Sequence, residues 1–430
     1  MKRLRHILAA IFVLLGFGYL LTQHDLMSIS AETAKLYTGS LTNSEQKLDL
    51  PKQDLGHESK GKNSLPKQDL GHEAVGPAVD EQWKDVPASG SRPTLSEDST
   101  PPTESSGDPT APLIDFNFQK DLDLDLPIDI LSNLRRHAAH NYDPNGPASY
   151  TYATFFASHN PSVEDPYYLA IHSLIYRTLW SPRSKTSKYP FVVFVADFVS
   201  QEQRDLLTGT GAIVRELAPL PWNPTDPGVQ KRWRDLFAKL NMWSETSFSR
   251  ILFLDADAFP LAPIDDMFEL TKVSDCIESK MQLDDFLPGG EAVCEPYIFA
   301  GVPHDPDSMF DVNINVGSMV FTPNKRQHQR LLQNYLKFDK YDVKWAEQAF
   351  LNWQFGINSA YPPGMLEREY GAFFPKEEDE KRIKVVHEKI WAAQKGYWKD
   401  EWDNTWKQML QFYGSEEFRA ARRADGDVPT

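Results

Sequence analysis

The sequence predicts an α/β domain with a Rossmann-like mixed, mostly parallel sheet. Three observations carry that prediction: apolar strands alternate with helical stretches from about residue 149 onward, one strand runs directly into two acids, and a long polar stretch precedes them all.

The chain opens with Lys2, Arg3 and Arg5, and then Ile7 to Leu21 carries no charge. That pattern predicts a cytosolic tail (1–6) and a transmembrane signal-anchor (7–22), an uncleaved anchor being preferred to a cleaved signal because a good small-residue cleavage site is missing. The span is short, which suits the thinner early secretory bilayers. Residues 23–112 are rich in Pro, Ser, Gly, Glu and Lys and poor in aromatics, a composition that cannot bury enough area to offset the entropy of ordering. They read as a disordered stem. Within it Leu50 to Glu58 recurs identically as Leu65 to Glu73, a fifteen-residue repeat too polar for a solenoid and best read as linker duplication rather than as metal binding by His57 and His72.

Residues 113–148 read as linker and helix. Asp121, Asp123 and Asp125 alternate with leucines, which predicts a solvated face rather than a metal site, and Ile128 to His140 has helical spacing. In the catalytic-sized domain, 149–400, Tyr150 to Ala157 is aromatic and β-branched, a strand signal. Tyr168 to Trp180 places Ile171, Leu174, Ile175 and Leu179 at helix spacing, and Phe191 to Ala196 is a continuous apolar strand of the kind covered on both faces. Gln201 to Leu207 and Arg232 to Asn241 read as helices, Ala212 to Leu217 and Ile251 to Leu254 as strands. Residues 401–430 read as a C-terminal helix and polar tail. The aromatics Trp391, Tyr397, Trp398, Trp402 and Trp406 suit capping of the domain better than sugar stacking.

With 45 Lys plus Arg against 61 Asp plus Glu, the chain has a net charge of −16 and disfavours nucleic acid. Two cysteines, Cys276 and Cys294, are too few for a thiolate metal cage; if they pair, they close one local loop.

The informative event is Ile251-Leu252-Phe253-Leu254 running into Asp255-Ala256-Asp257. Ligands of open α/β sheets bind beyond the carboxyl ends of the strands. Two hard carboxylates there suit a divalent ion that bridges to a diphosphate. Lys384-Val385-Val386-His387 is a short strand pattern ending in a candidate third ligand, a core histidine being as good a reading from the residues alone.

In order along residues 149–398 stand Tyr152-Ala153-Thr154, Ser173-Leu174, Phe237-Ala238-Lys239-Leu240-Asn241-Met242-Trp243, Leu254-Asp255-Ala256-Asp257, Asn315-Val316-Gly317-Ser318, Glu347-Gln348-Ala349-Phe350 and Val386-His387. As an ordered set they resemble the glycogenin-like enzymes of glycosyltransferase family 8, and fungal Golgi N-acetylglucosaminyltransferases among them. The resemblance implies a GT-A fold, a UDP-sugar donor, Mn²⁺ or Mg²⁺, and transfer with retention. It implies Asp255, Asp257 and His387 as metal ligands, Lys239 close to the donor diphosphate, and Ala153 and Thr154 against the uridine. Asn315 and Gly317 would line the sugar, glycine allowing close backbone approach. Glu347 and Gln348 stand where the family has Asp-Gln beside the transferred sugar, one methylene longer at the acid. After the histidine the family's glycine and Lys-Pro-Trp cluster are missing, so either Lys389 or Lys395 stands for the phosphate-binding lysine, Lys395 being the one carried forward.

The expected function is therefore a retaining, metal-dependent hexosyltransferase in the Golgi membrane, single-pass type II with its catalytic domain lumenal. It would move N-acetylglucosamine, or otherwise glucose, from a UDP-sugar to a glycan or glycoprotein. Glycogenin-like glucosylation is a competing expectation, although Tyr361 and Tyr370, which stand where an acceptor tyrosine could sit, read better as buried or stacking residues; a haloacid-dehalogenase-type phosphatase built on Asp255 and Asp257, and an inactive lumenal relative, are others.

Overall fold

The structure is a computed structural model that describes residues 117–226, 229–304, 312–376, 379 and 381–427. The expected tail, anchor, stem and repeat, with His57 and His72, lie outside the described residues. Among those described, no helix is long and apolar enough to cross a membrane.

Ten strands, β1 to β10, form two sheets. β1 (Ser149–Phe156), β2 (Phe191–Val195), β3 (Ile213–Glu216) and β4 (Phe248–Leu254) pair in parallel in the order β3-β2-β1-β4. β7 (Ile314–Phe321) runs antiparallel to β4, and β6 (Phe299–Pro303) antiparallel to β7, with β8 (Gly364–Met365) at the edge. The large sheet is thus mixed and mostly parallel, as the alternating pattern predicts. A small sheet of β5 (Ala258–Pro260), β10 (Val385–His387) and β9 (Ala372–Phe373) stands beyond the end of β4.

Every residue of β2 and β7 is buried, which is why both read as continuous apolar runs. The helix Pro166–Ile175 starts where Asp165 accepts a hydrogen bond from the Tyr168 N–H at 2.8 Å and proline occupies the first turn, whose N–H has no helical partner. It continues as a wider π turn over Tyr176–Trp180. The helix Gln201–Gly209 starts with a reciprocal capping box between Ser200 and Gln203.

Three stretches differ from their sequence patterns. The helix at Ile128 ends at Leu134 rather than His140, because His137 leaves it to bridge to Asp427 and Ala138 N donates to Gly426 O at 2.8 Å. The Arg232–Asn241 stretch is two tight 3-10 segments, Lys231–Trp233 and Leu236–Ser244. After Gly414 the chain forms the helix Glu416–Ala424, whose Phe418 and Arg422 are completely buried. Arg422 donates to the carbonyls of Ala138 (2.7 Å) and Gly209 (3.3 Å), so this helix is an integral clamp.

Trp402 and Trp406, on the helix Tyr397–Tyr413, stack 5.5 Å apart and are buried, which is the capping role. Cys276 and Cys294 are disulfide-bonded with Cα atoms 5.3 Å apart. Within the loop they close, Asp285 accepts from buried Arg330 at 2.7 Å, which fixes the loop to the helix Lys325–Asn334.

Candidate active site

The site is assembled by strand register. Asp255 follows directly on β4, and because Leu254 pairs with Ser318, Asp255 N donates to Gly317 O at 2.8 Å. His387 pairs with Ala258 across β10 and β5, and Glu388 N donates to Asp257 O at 3.0 Å, so His387 is held beside Asp257. One ligand atom from each of Asp255, Asp257 and His387 lies within 4.8 Å of the others. Two carboxylates and an imidazole form a donor set suited to a divalent cation.

Two observations test the fit. A Cβ at Gly317 would lie 2.3 Å from His387 Cε1 and 2.7 Å from Asp255 Oδ2, so the bare backbone there leaves the space in which the three ligands converge. His387 Nδ1 is buried and has no hydrogen-bond partner, while Nε2 lies 3.3 Å from Asp257 Oδ1. The residues fit the metal that the sequence implies.

Two lysines balance the acids. Lys239, 3% exposed, donates to Asp255 Oδ1 at 2.9 Å and to Glu347 Oε1 at 2.8 Å. Burial alone would lower its pKa, but the charges of Asp255 and Glu347 outweigh it and raise the ammonium above its usual range. Lys389 donates to Asp257 Oδ2 at 2.7 Å. Burial opposes ionisation of Asp257, yet Lys389 and His387 hold its carboxyl well below the usual carboxylate range.

Glu347 and Gln348 enter from the first turn of the helix Ala346–Gln354. Gln348 Oε1 accepts from Val316 N at 3.2 Å, and Asn352 clips both the N–H and the carbonyl of Ile314, at 2.8 and 2.9 Å. This helix is thereby sewn along β7. Asn315 Oδ1 accepts from Gly317 N at 2.9 Å, fixing the turn around the bare position. Ala346 adopts φ 46°, a left-handed backbone strained for alanine, immediately before Glu347.

These groups share one cleft of about 330 Å³, the size of a small-ligand site. Asp255, Asp257, His387, Lys239, Asn315, Glu347 and Gln348 all line it. Four expected residues do not. Ala153 and Thr154 are completely buried within β1, and the cleft wall begins at the next residue, Phe155, where the strand nears its carboxyl end. Lys395 is exposed and outside the cleft, whereas Lys389 lines it, because the chain turns away from the site after Ile390. Gly317 lies behind the ligands rather than among the lining residues.

Sequence reasoning missed Arg232, Trp233, Tyr167, Trp345 and Phe118-Gln119, the last two residues lying in what reads as linker. Arg232 sits one short turn ahead of the Lys239 segment and was legible only as a helix residue. The acceptor role of Tyr361 and Tyr370 has no structural support, since they are 0% and 3% exposed. Tyr361 lies under the Arg330 guanidinium at 4.0 Å, and the Tyr370 hydroxyl donates to Asp266 at 2.6 Å. For a phosphatase of the haloacid-dehalogenase type, the paired acids should follow the first strand; here three parallel strands precede β4 in the chain.

No family model matches the chain. Tomato galactinol synthase 1 is 33% identical over 180 residues, covering 39% of this chain and 51% of that protein. Arabidopsis thaliana galactinol synthase 7 is 27% identical, covering 57% and 74%. An uncharacterised protein of Schizosaccharomyces pombe is 24% identical over 308 residues, covering 63% and 82%. Among solved structures, the glycosyltransferase GlyE of Streptococcus pneumoniae covers 64% of each chain at 16% identity, with a TM-score of 0.40. With the sheet order and site above, the similarity to galactinol synthases supports the resemblance to glycosyltransferase family 8 read from the motifs. More particularly, the similarity is to galactinol synthases, of which the chain spans 51% and 74% of the length.

Proposed function

We propose that the protein moves a hexosyl group, with retention, from a UDP-sugar to a glycan or glycoprotein acceptor in the Golgi lumen, anchored by its N-terminal segment. The observation that carries the catalytic part is the convergence of Asp255, Asp257 and His387 over the bare Gly317 backbone. A divalent ion there, Mn²⁺ or Mg²⁺, would act as Lewis acid and neutralise charge on the departing diphosphate. Lys389, already drawn into the cleft by Asp257, meets the same diphosphate. Glu347, its reach fixed by Lys239, and Gln348, its amide held against β7, orient the transferred sugar so that the acceptor hydroxyl attacks from the face the UDP leaves.

The anchor and Golgi location rest on the N-terminal charge and apolar pattern. N-acetylglucosamine as donor sugar rests on analogy with fungal Golgi enzymes, with glucose as the alternative. The 33% identity to a galactinol synthase favours a second reading, synthesis of a galactinol-type product. A donor screen separates these readings. The full-length protein is incubated with Mn²⁺ and each of UDP-N-acetylglucosamine, UDP-glucose and UDP-galactose, and UDP release is read beside the Asp255→Ala, Asp257→Ala double variant. Metal-dependent release from one donor, abolished in the variant, is expected. Equal release by the variant would sink the site assignment.

A further inference from the structure

We propose that Phe118, ahead of the sheet domain, is a positioning residue of the donor cleft, its ring holding Arg232 and Lys389 toward the diphosphate of a bound nucleotide sugar. This rests on the nucleotide-sugar reading of the cleft. The ring centroid of Phe118 lies 5.5 Å from the Arg232 guanidinium and 5.4 Å from Lys389 Nζ. Both cations line the cleft, and so does Gln119, the residue after Phe118.

The short turn Asn117–Gln119 and the residues after it are tied down by three hydrogen bonds. Trp391 Nε1 donates to Phe118 O at 3.2 Å, Asn160 Nδ2 donates to Asp121 Oδ1 at 2.6 Å, and Leu122 N donates to Glu164 O at 2.9 Å. Its anchors thus come from two segments, the one after His387 and the loop that joins β1 to the helix Pro166–Ile175. Arg232 also meets Gln230 Oε1 at 2.6 Å, the Tyr167 hydroxyl at 3.2 Å and the Trp233 ring at 5.5 Å, and Lys389 meets Asp257, so Phe118 is the ring the two cations share.

Two like charges on one wall repel, and an aromatic face that both can approach is a neutral surface attracting each. A ring shared in this way keeps both cations ordered and facing the cleft before the anion arrives, so less ordering is required on binding. Phe118 touches the cations and not the reacting atoms, so its effect belongs on donor affinity rather than on the chemical step.

The test uses the full-length protein with Mn²⁺ and UDP, comparing wild type, Phe118→Leu and Phe118→Tyr. Calorimetric Kd and thermal midpoint are read, with KM and kcat for whichever donor the screen selects. Leucine keeps apolar bulk and removes the π face. Phe118→Leu is expected to weaken UDP binding roughly tenfold and to raise donor KM with kcat changed no more than about twofold, while Phe118→Tyr restores both. A Leu variant that binds UDP like wild type, or a Tyr variant no better than Leu, overturns the positioning role while leaving the nucleotide-sugar site standing. Failure of wild type itself to bind UDP with Mn²⁺ overturns the nucleotide-sugar reading, and the role of Phe118 with it.

Discussion

At the scale of single residues, the position with most authority over the site is one without a side chain. Gly317 has no unusual backbone angle to explain it; its bareness matters because His387 and Asp255 occupy the space a methyl group would take. Gly317→Ala must push those ligands apart, and so should abolish Mn²⁺-dependent UDP binding while the protein stays folded; calorimetry with and without Mn²⁺, beside a thermal melt, checks this. Asp165 offers a different reading of a buried charge. Burial lifts its carboxyl to about 6, against hydrogen bonds from Ser158 and Tyr168 that favour the ionised form. A carboxyl raised on folding binds more protons folded than unfolded, so its contribution is full below about pH 4 and is lost as pH rises to about 6. Asparagine caps a helix equally well. Asp165→Asn should therefore gain on wild type across that window, by about 2–3 kcal/mol in all, as urea unfolding at pH 4 and pH 7 would show. No gain would mean the carboxyl is better solvated than its burial implies.

At the scale of elements, the legible part of the sequence was what strand periodicity and chain order can carry. β1, β2 and β4 lie where apolar runs place them, and the two acids end β4 as an open α/β sheet requires. His387 was legible as a strand end, but its partnership with Asp257 depends on the pairing of β10 with β5, which no local pattern encodes. Which of Lys389 and Lys395 faces the cleft depends on a turn at residues 390–392, and Ala153 and Thr154 lie buried short of the cleft because a motif marks a strand without marking where it ends. The loop between the cysteines belongs to this scale too. Its sequence separation of 18 puts the loop-closure contribution at about 3 kcal/mol. The Cys276→Ser, Cys294→Ser variant should lose about that much in urea unfolding, with Arg330 and Asp285 still linking the loop to its helix.

For the whole molecule, the folded region is fastened at its last helix. Phe418 packs edge-on against Trp180 with centroids 5.3 Å apart, and Arg422 reaches carbonyls near residues 137–138 and 208–209. A chain ending at Gly414 strips cover from Trp180 and Phe412 and leaves those carbonyls unpaired. It should lose several kcal/mol, roughly the sum of an aromatic truncation and a broken buried polar network, and thermal melting of the shortened chain beside Arg422→Ala would divide the two. Composition gave no warning of this, since the segment is strongly charged and its burial comes from one phenylalanine and one arginine on the same face.

The contact between Trp391 and Phe118 joins residues 273 positions apart. During synthesis, the turn carrying Phe118 and the cleft-lining Gln119 leaves the ribosome ahead of the sheet domain, and the segment carrying His387, Lys389 and Trp391 follows only after β1 to β9 have emerged. A nascent chain therefore has no finished cleft to load with nucleotide until residues 387–391 have emerged, and closure of that span is a long-range, slow event on the folding path.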